Sequence, residues 1–312
     1  MEIGVSLISN LQSPISPKIM KLSERALKDQ LYEIADNEFE LPEQAKALPR
    51  ALEMLPHLGS PDAELRDDLI YSTLATWILA DKFEDDDLKT LLKQLLTEEH
   101  LFHKLGEADT DSVFMRSFSA LLIPLILSCH RKRPFLMPYE LRELKVKLLD
   151  YLEREQDLRG FVLDEDEAGE AKGWAHAIAH TADALDELVQ CKDIGNEELL
   201  EIIDAIRQRV AEPKLVFVHL EDERLVTPVI AALGRKLLTP ADVQSWLDGF
   251  VPLAQQAEPF PDCYRQAQNV KNFLRSLYFR ARKPETAVQI GDNSANALAE
   301  LVGKTLQTIA LF

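Results

Sequence analysis

The chain reads as an all-α protein, an irregular HEAT- or armadillo-like stack (an α-α superhelix) of about six helical hairpins. Three observations lead there. Apolar residues recur at helical spacing from Leu22 almost to the end. Gly is scarce, at 11 of 312 residues, while Leu, Ala, Glu and Lys dominate, a balance that suits helices better than a sheet protein's Gly-rich turns and β-branched runs. Helix-start signals also return along the chain. At 46% hydrophobic, the chain has enough apolar material for a sizeable core.

Taken in order, residues 1–20 are expected to form a flexible N-terminal arm, and 21–312 a single superhelical domain with a weak division near 212. Periodicity predicts helices over 22–37, 42–54, 61–81 and 85–96. The third opens on Ser60-Pro61-Asp62, an N-cap, a first-turn proline and an early acid. Asp109-Thr110-Asp111-Ser112 precedes the most hydrophobic helix, 110–129, and His130-Arg131-Lys132-Arg133 places cations where its dipole ends. Pro138 starts 138–154, and Gly160 marks a turn beyond it. An acidic loop, with Asp164, Glu165, Asp166, Glu167 and Glu170, leads into a helix over 172–191. Helices at 196–211 and 221–236 follow, the segment Val216–Glu223 reading as a linker into an acidic first turn. Thr239-Pro240-Ala241-Asp242 repeats the earlier start device for 239–250, and 262–281 and 292–310 complete the set. No tetratricopeptide or ankyrin signature is present, although hairpins recur every roughly 40–50 residues, as in HEAT and armadillo arrays.

The formal charge of −18 repels phosphate backbones and anionic bilayers, so neither nucleic acid nor membrane is an expected partner. The longest apolar run, Ala120 to Leu127, is too short for a bilayer and contains Pro124. Met1 to Met20 lacks the pattern of a secretory signal. Cys129, Cys191 and Cys263 are odd in number and without metal-type spacing, so reduced thiols and a cytoplasmic setting are expected. No Gly-rich phosphate loop or Gly-x-Ser-x-Gly elbow occurs.

The most informative segment is Gly173-Trp174-Ala175-His176-Ala177-Ile178-Ala179-His180-Thr181-Ala182-Asp183. On a helix, Trp174, Ile178, Leu185 and Val189 share one side, and His176, His180, Asp183 and Glu187 the other. Two imidazoles one turn apart with a carboxylate next in line could seat a divalent metal through His176, His180 and Asp183. They could equally form a polar pocket for acid–base work or binding, or stand solvated on a surface helix. On the two helices that lack a polar face, Asp67, Tyr71 and Arg116 are either a structural ion-pair network or a second group of pocket residues. The leading reading is a concave groove containing Asp67, Tyr71, Arg116, Trp174, His176, His180 and Asp183 that takes a small ligand or a protein partner. The competing reading is a metal-dependent, hydrolase-like enzyme with Asp183 or Glu187 orienting the ligand. A third is an interaction scaffold in which the His stripe is inert.

Three segments resemble a bacterial family known only as domain of unknown function 2785: Glu64-Leu65-Arg66-Asp67-Asp68-Leu69 with Tyr71, Asp111 through Ser119, and Asp157-Leu158-Arg159-Gly160 followed by Gly173 through Asp183. Asn269 through Arg275 is also similar. The resemblance implies a helical body and no established activity, and it suggests that these polar residues belong to one shared feature.

Overall fold

A computed structural model describes residues 22–255, 259–283 and 297–309. The expected arm at 1–20 lies outside the described residues, as do the first residues of the last expected helix. Largely helical architecture is what the periodicity dictated. Each helix buries the apolar stripe read from the sequence, as α1 (Glu24–Asp36) does with Leu27, Leu31 and Ile34. Of the expected caps, that at Thr239 operates, whereas Asp62 replaces Ser60 as the cap of its helix and accepts the Leu65 N–H at 3.0 Å. Ser23 accepts from the Ala26 N–H at 3.3 Å, and Thr239 and Asp242 exchange hydrogen bonds across the first turn of α10 (Pro240–Asp248).

After α2 (Ala47–Met54) and a 3₁₀ turn, the segment Glu64–Tyr71 winds as a π-helix and then tightens into α3 (Ser72–Leu79). Periodicity alone had predicted an unbroken α-helix here; π turns of this kind are rare and tend to occur at functional positions. α4 (Asp85–Leu95), α5 (Ser112–Lys132) and α6 (Pro138–Arg154) follow. α5 is long and apolar enough to cross a bilayer, but 78% of its apolar stretch is buried against other parts of the chain.

The expected helix over 172–191 requires correction. Residues Phe161–Glu165 and Ala171–Trp174 form an antiparallel hairpin, β1 and β2, pairing Phe161 with Trp174 and Val162 with Gly173. The helix, α7, runs only from Ala177 to Val189. Gly173 at φ +79° and His176 at φ 52° are left-handed, which no α-helix accommodates. The acidic segment read as a loop is divided between the end of β1, with Asp164 and Glu165, and the hairpin's turn, where Asp166 Oδ1 accepts from the backbone N–H groups of Ala168 and Glu170, each at 2.9 Å. The chain is therefore largely rather than wholly helical.

α8 (Asn196–Val210), α9 (Glu221–Gly234), α10, α11 (Phe250–Gln255), α12 (Asp262–Ala281) and α13 (Ala297–Ile309) complete the described residues, with the expected 239–250 helix divided at Gly249. The most extensive helix contacts are α5 on α7 and α7 on α9; α3 packs on α5 and α12 on α9. This row, α3–α5–α7–α9–α12, is backed by α4, α6 and α8, which pack on α5, α7 and α9 respectively. α7 is thus the middle helix of the row. Ala177, Ala179, Ala182 and Ala184 are all buried on it, because small side chains let both neighbours approach.

Candidate functional site

At its N-terminal end α7 meets four other pieces of chain. The π segment brings Arg66, Asp67 and Tyr71, α5 brings Phe118, β2 brings Trp174, and the first turn of α9 brings Glu221 and Arg224, with His219 just before it. Arg66 fastens the hairpin to the π segment, donating to Lys172 O at 2.7 Å and to Ser60 O at 2.8 Å, with its Cζ 4.1 Å from the Phe114 ring centroid. Its Nε lies 2.7 Å from Asp67 Oδ1. Gly173 is required where it stands: a Cβ there would sit 3.2 Å from Ala63 Cβ and 3.4 Å from Arg66 Nη2.

The rings form a continuous aromatic chain. Tyr71 meets Phe118 edge-on at 6.3 Å between centroids, Phe118 meets His180 at 5.6 Å, and His180 meets His176 at 5.9 Å. Trp174 stacks on His176 at 4.7 Å and 22°, and His219 abuts both. His176 and His180 are brought ring to ring, but not as two positions of one helix stripe. His176 caps α7 from outside it, held by its left-handed backbone.

The hydrogen bonds define both tautomers. His176 Nε2 lies 2.8 Å from His219 O, and His180 Nδ1 lies 3.2 Å from Ser117 O. A carbonyl only accepts, so each of these nitrogens carries the proton and donates. The lone pairs remain on His176 Nδ1 and His180 Nε2. Neither has a partner among the described residues, and neither atom is sealed from solvent. Burial lowers the His180 pKa to about 3, with the nearby His176 adding to the effect, and burial also lowers that of His176. Both rings are therefore neutral at pH 7.

Asp183 meets Arg224 through a bidentate pair, with Oδ1 at 2.8 Å from Nε and Oδ2 on Nη2. Burial raises the Asp183 pKa against the pull of Arg224. The Tyr71 phenol is raised by burial and further by the Asp183 carboxylate. Burial pushes Asp67 up to about 6 despite Arg66. Glu221 is buried and takes the His219 N–H at 2.8 Å, at the N-terminus of α9 where the helix dipole favours an anion. The cluster opens to solvent at Trp174, 41% exposed, and at the His219 side chain, 37% exposed.

Arg116 takes no part in this cluster. Its five N–H donors are used by Glu155 (2.6 and 2.9 Å), Ser112 Oγ and the carbonyls of His103, Lys104 and Glu107. Arg116 and Glu155 are both fully buried, and the expectation that Arg116 would join Asp67 and Tyr71 is corrected on that ground. Glu155 also accepts the Asp157 N–H through its side chain and a hydrogen bond from Arg209 through its carbonyl, so the pair anchors the chain between α6 and the hairpin. The expected metal set is not assembled either. Among the described residues no three His, Cys, Asp or Glu side chains are grouped to hold a metal ion, since Asp183 is turned to Arg224 and leaves the two imidazoles without a third ligand. Glu187 pairs with Arg131 at 2.6 Å, at the far end of α7. There a cleft of about 440 Å3 is lined by none of the expected groove residues.

Sequence reasoning left His219 as a histidine that only the fold could bring near, and missed Glu221 and Arg224; all three lie in the segment read as a linker and its helix. The available signal was a histidine two residues before a helix-opening glutamate; what it lacked was any sequence proximity to His176.

A largely helical protein with a histidine-rich aromatic cluster at the middle of its helix row is the class these observations define. The family model described as Protein of unknown function (DUF2785) matches residues 101–279, and the chain belongs to that family. The match takes in Trp174, His176, His180, Asp183, His219 and Arg224, while Asp67 and Tyr71 precede it. No curated protein and no solved structure matches the chain.

Proposed function

We propose that this protein binds a small polar ligand at the N-terminal end of α7, on the concave side of an α-α superhelix of HEAT or armadillo type whose inner row is α3–α5–α7–α9–α12. Tyr71, Trp174, His176, His180 and Asp183 contact the ligand; Asp67 lies behind them with Arg66. A reducing, cytoplasmic setting accords with three cysteines that are free thiols. The observation that carries the reading is the pair of unspent imidazole lone pairs. Each ring is held by a backbone carbonyl through one nitrogen, so the other, which solvent reaches, is presented in a fixed direction as an acceptor for a ligand's donor.

The test is a melting screen of soluble metabolites against the wild-type chain and the variants Tyr71→Phe and His176→Ala. A ligand present at about 100 times its Kd stabilises the folded state by about 2.7 kcal/mol, which the screen reads as an upward shift. The expected result is a compound that shifts the wild type and loses that shift in both variants. Compounds that stabilise all three chains equally, or a library that stabilises none, would overturn the proposal.

A further inference from the structure

Resting on that reading, we infer that the ligand is a neutral polyhydroxylated ring, a sugar, lying against Trp174 with its hydroxyls on His176 and His180. The argument is one of which valences remain. The charges nearest the rings each have a counterpart. Arg224 is matched by Asp183, Arg66 by Asp67, and Glu221 by the start of α9 and the His219 N–H. Inorganic anions find no unpaired cation here, and both imidazoles are uncharged at neutral pH. An ammonium ion would find one carboxylate without a cation partner, Asp186, which lies a turn further along α7 and which burial raises to about 6.

What is left is neutral and of both senses. His176 Nδ1 and His180 Nε2 accept, while the Tyr71 hydroxyl and Arg224 Nη1, which have no protein acceptor among the described residues, can donate. Hydroxyl groups both donate and accept, so a polyol satisfies such a set without bringing in a charge. The indole supplies the second requirement. Trp174 is held edge-on by Phe161 at 5.0 Å and stacked by His176, yet stays 41% exposed, a rigid apolar surface suited to the C–H face of a sugar ring.

Trp174 also provides the readout. The chain has three tryptophans, and Trp77 and Trp246 are buried. A fluorescence change on titration therefore reports Trp174, with Trp174→Phe as the check. Glucose and N-acetylglucosamine test free sugars and cellobiose a linked one; inorganic phosphate and 1,4-diaminobutane test an anion and a cation. The expected result is a saturable change with at least one sugar and with neither ion. By calorimetry that sugar's affinity should fall at least tenfold in His176→Ala and in Trp174→Leu, and hold in His103→Ala. Saturation by phosphate or the diamine in place of sugar, no saturation by any sugar, or a sugar bound equally by Trp174→Leu would overturn the inference. A metabolite hit lost in Tyr71→Phe alongside any of those results leaves the binding site standing and removes only the sugar.

Discussion

His180 carries the pH dependence of the site. Its folded pKa of about 3 lies below the ordinary histidine value, so its contribution to stability is complete above about pH 6.5 and is lost as pH falls from there toward 3, where the unfolded chain gains a proton the folded chain refuses. His176 acts in the same direction. Asp67 and Asp186, both raised to about 6 by burial, act oppositely, since the folded chain takes their protons first as pH falls from about 6 toward 4. His180→Gln isolates the first effect. Melting temperatures measured from pH 7.5 to 4 should fall more steeply for the wild type than for the variant, and parallel curves would contradict the assignment. The Arg116–Glu155 pair makes a different demand. Removing one partner from a buried pair leaves an uncompensated charge, at a cost of about 3–5 kcal/mol. Glu155→Ala should therefore shift the urea midpoint far downward, whereas Arg131→Ala, which breaks a half-exposed pair, should cost about 1 kcal/mol or less.

At the scale of elements, the β1–β2 hairpin positions the site. Its strand residues Phe161, Val162, Leu163 and Trp174 suit extended backbone, Asp166 closes the turn, and Gly173 lets β2 pass close to the π segment. Gly173→Ala combines a left-handed φ with a 3.2 Å approach to Ala63, and a cost of about 1–3 kcal/mol is expected in urea denaturation. The same variant should weaken ligand binding, because displacing β2 displaces Trp174. This is where sequence pattern misled. Trp174 and His176 fall at spacings that an α-helix would also produce, and periodicity alone does not register a left-handed residue between two elements. The cue was Gly173 itself, three residues before the first histidine.

At the scale of the molecule, α7 is enclosed by α5 and α9 while the hairpin projects from the row. Hydrogen exchange should therefore be slowest in the middle of α7, near the global unfolding limit, and fastest in 161–174, where the backbone is carried on a two-stranded ribbon. Equal protection in the two segments would contradict that layout. The charge of −18 adds a long-range field that disfavours anions approaching any face, in keeping with a neutral ligand.

A largely helical class and the positions of most helices were legible from the chain alone, because burial period and capping chemistry are local properties written within a few residues of one another. His176, His180 and Asp183 were legible as a polar stripe, and Asp67 and Tyr71 as polar residues on a helix without a polar face, for the same reason. Tertiary structure decided the rest. It turned residues 161–174 into a hairpin, carried His219 and Arg224 across some forty positions to the histidines, and sent Arg116 to Glu155 instead. Those outcomes depend on which surfaces meet, and the pairing of distant carbonyls, carboxylates and rings is settled only when the helix row closes around them.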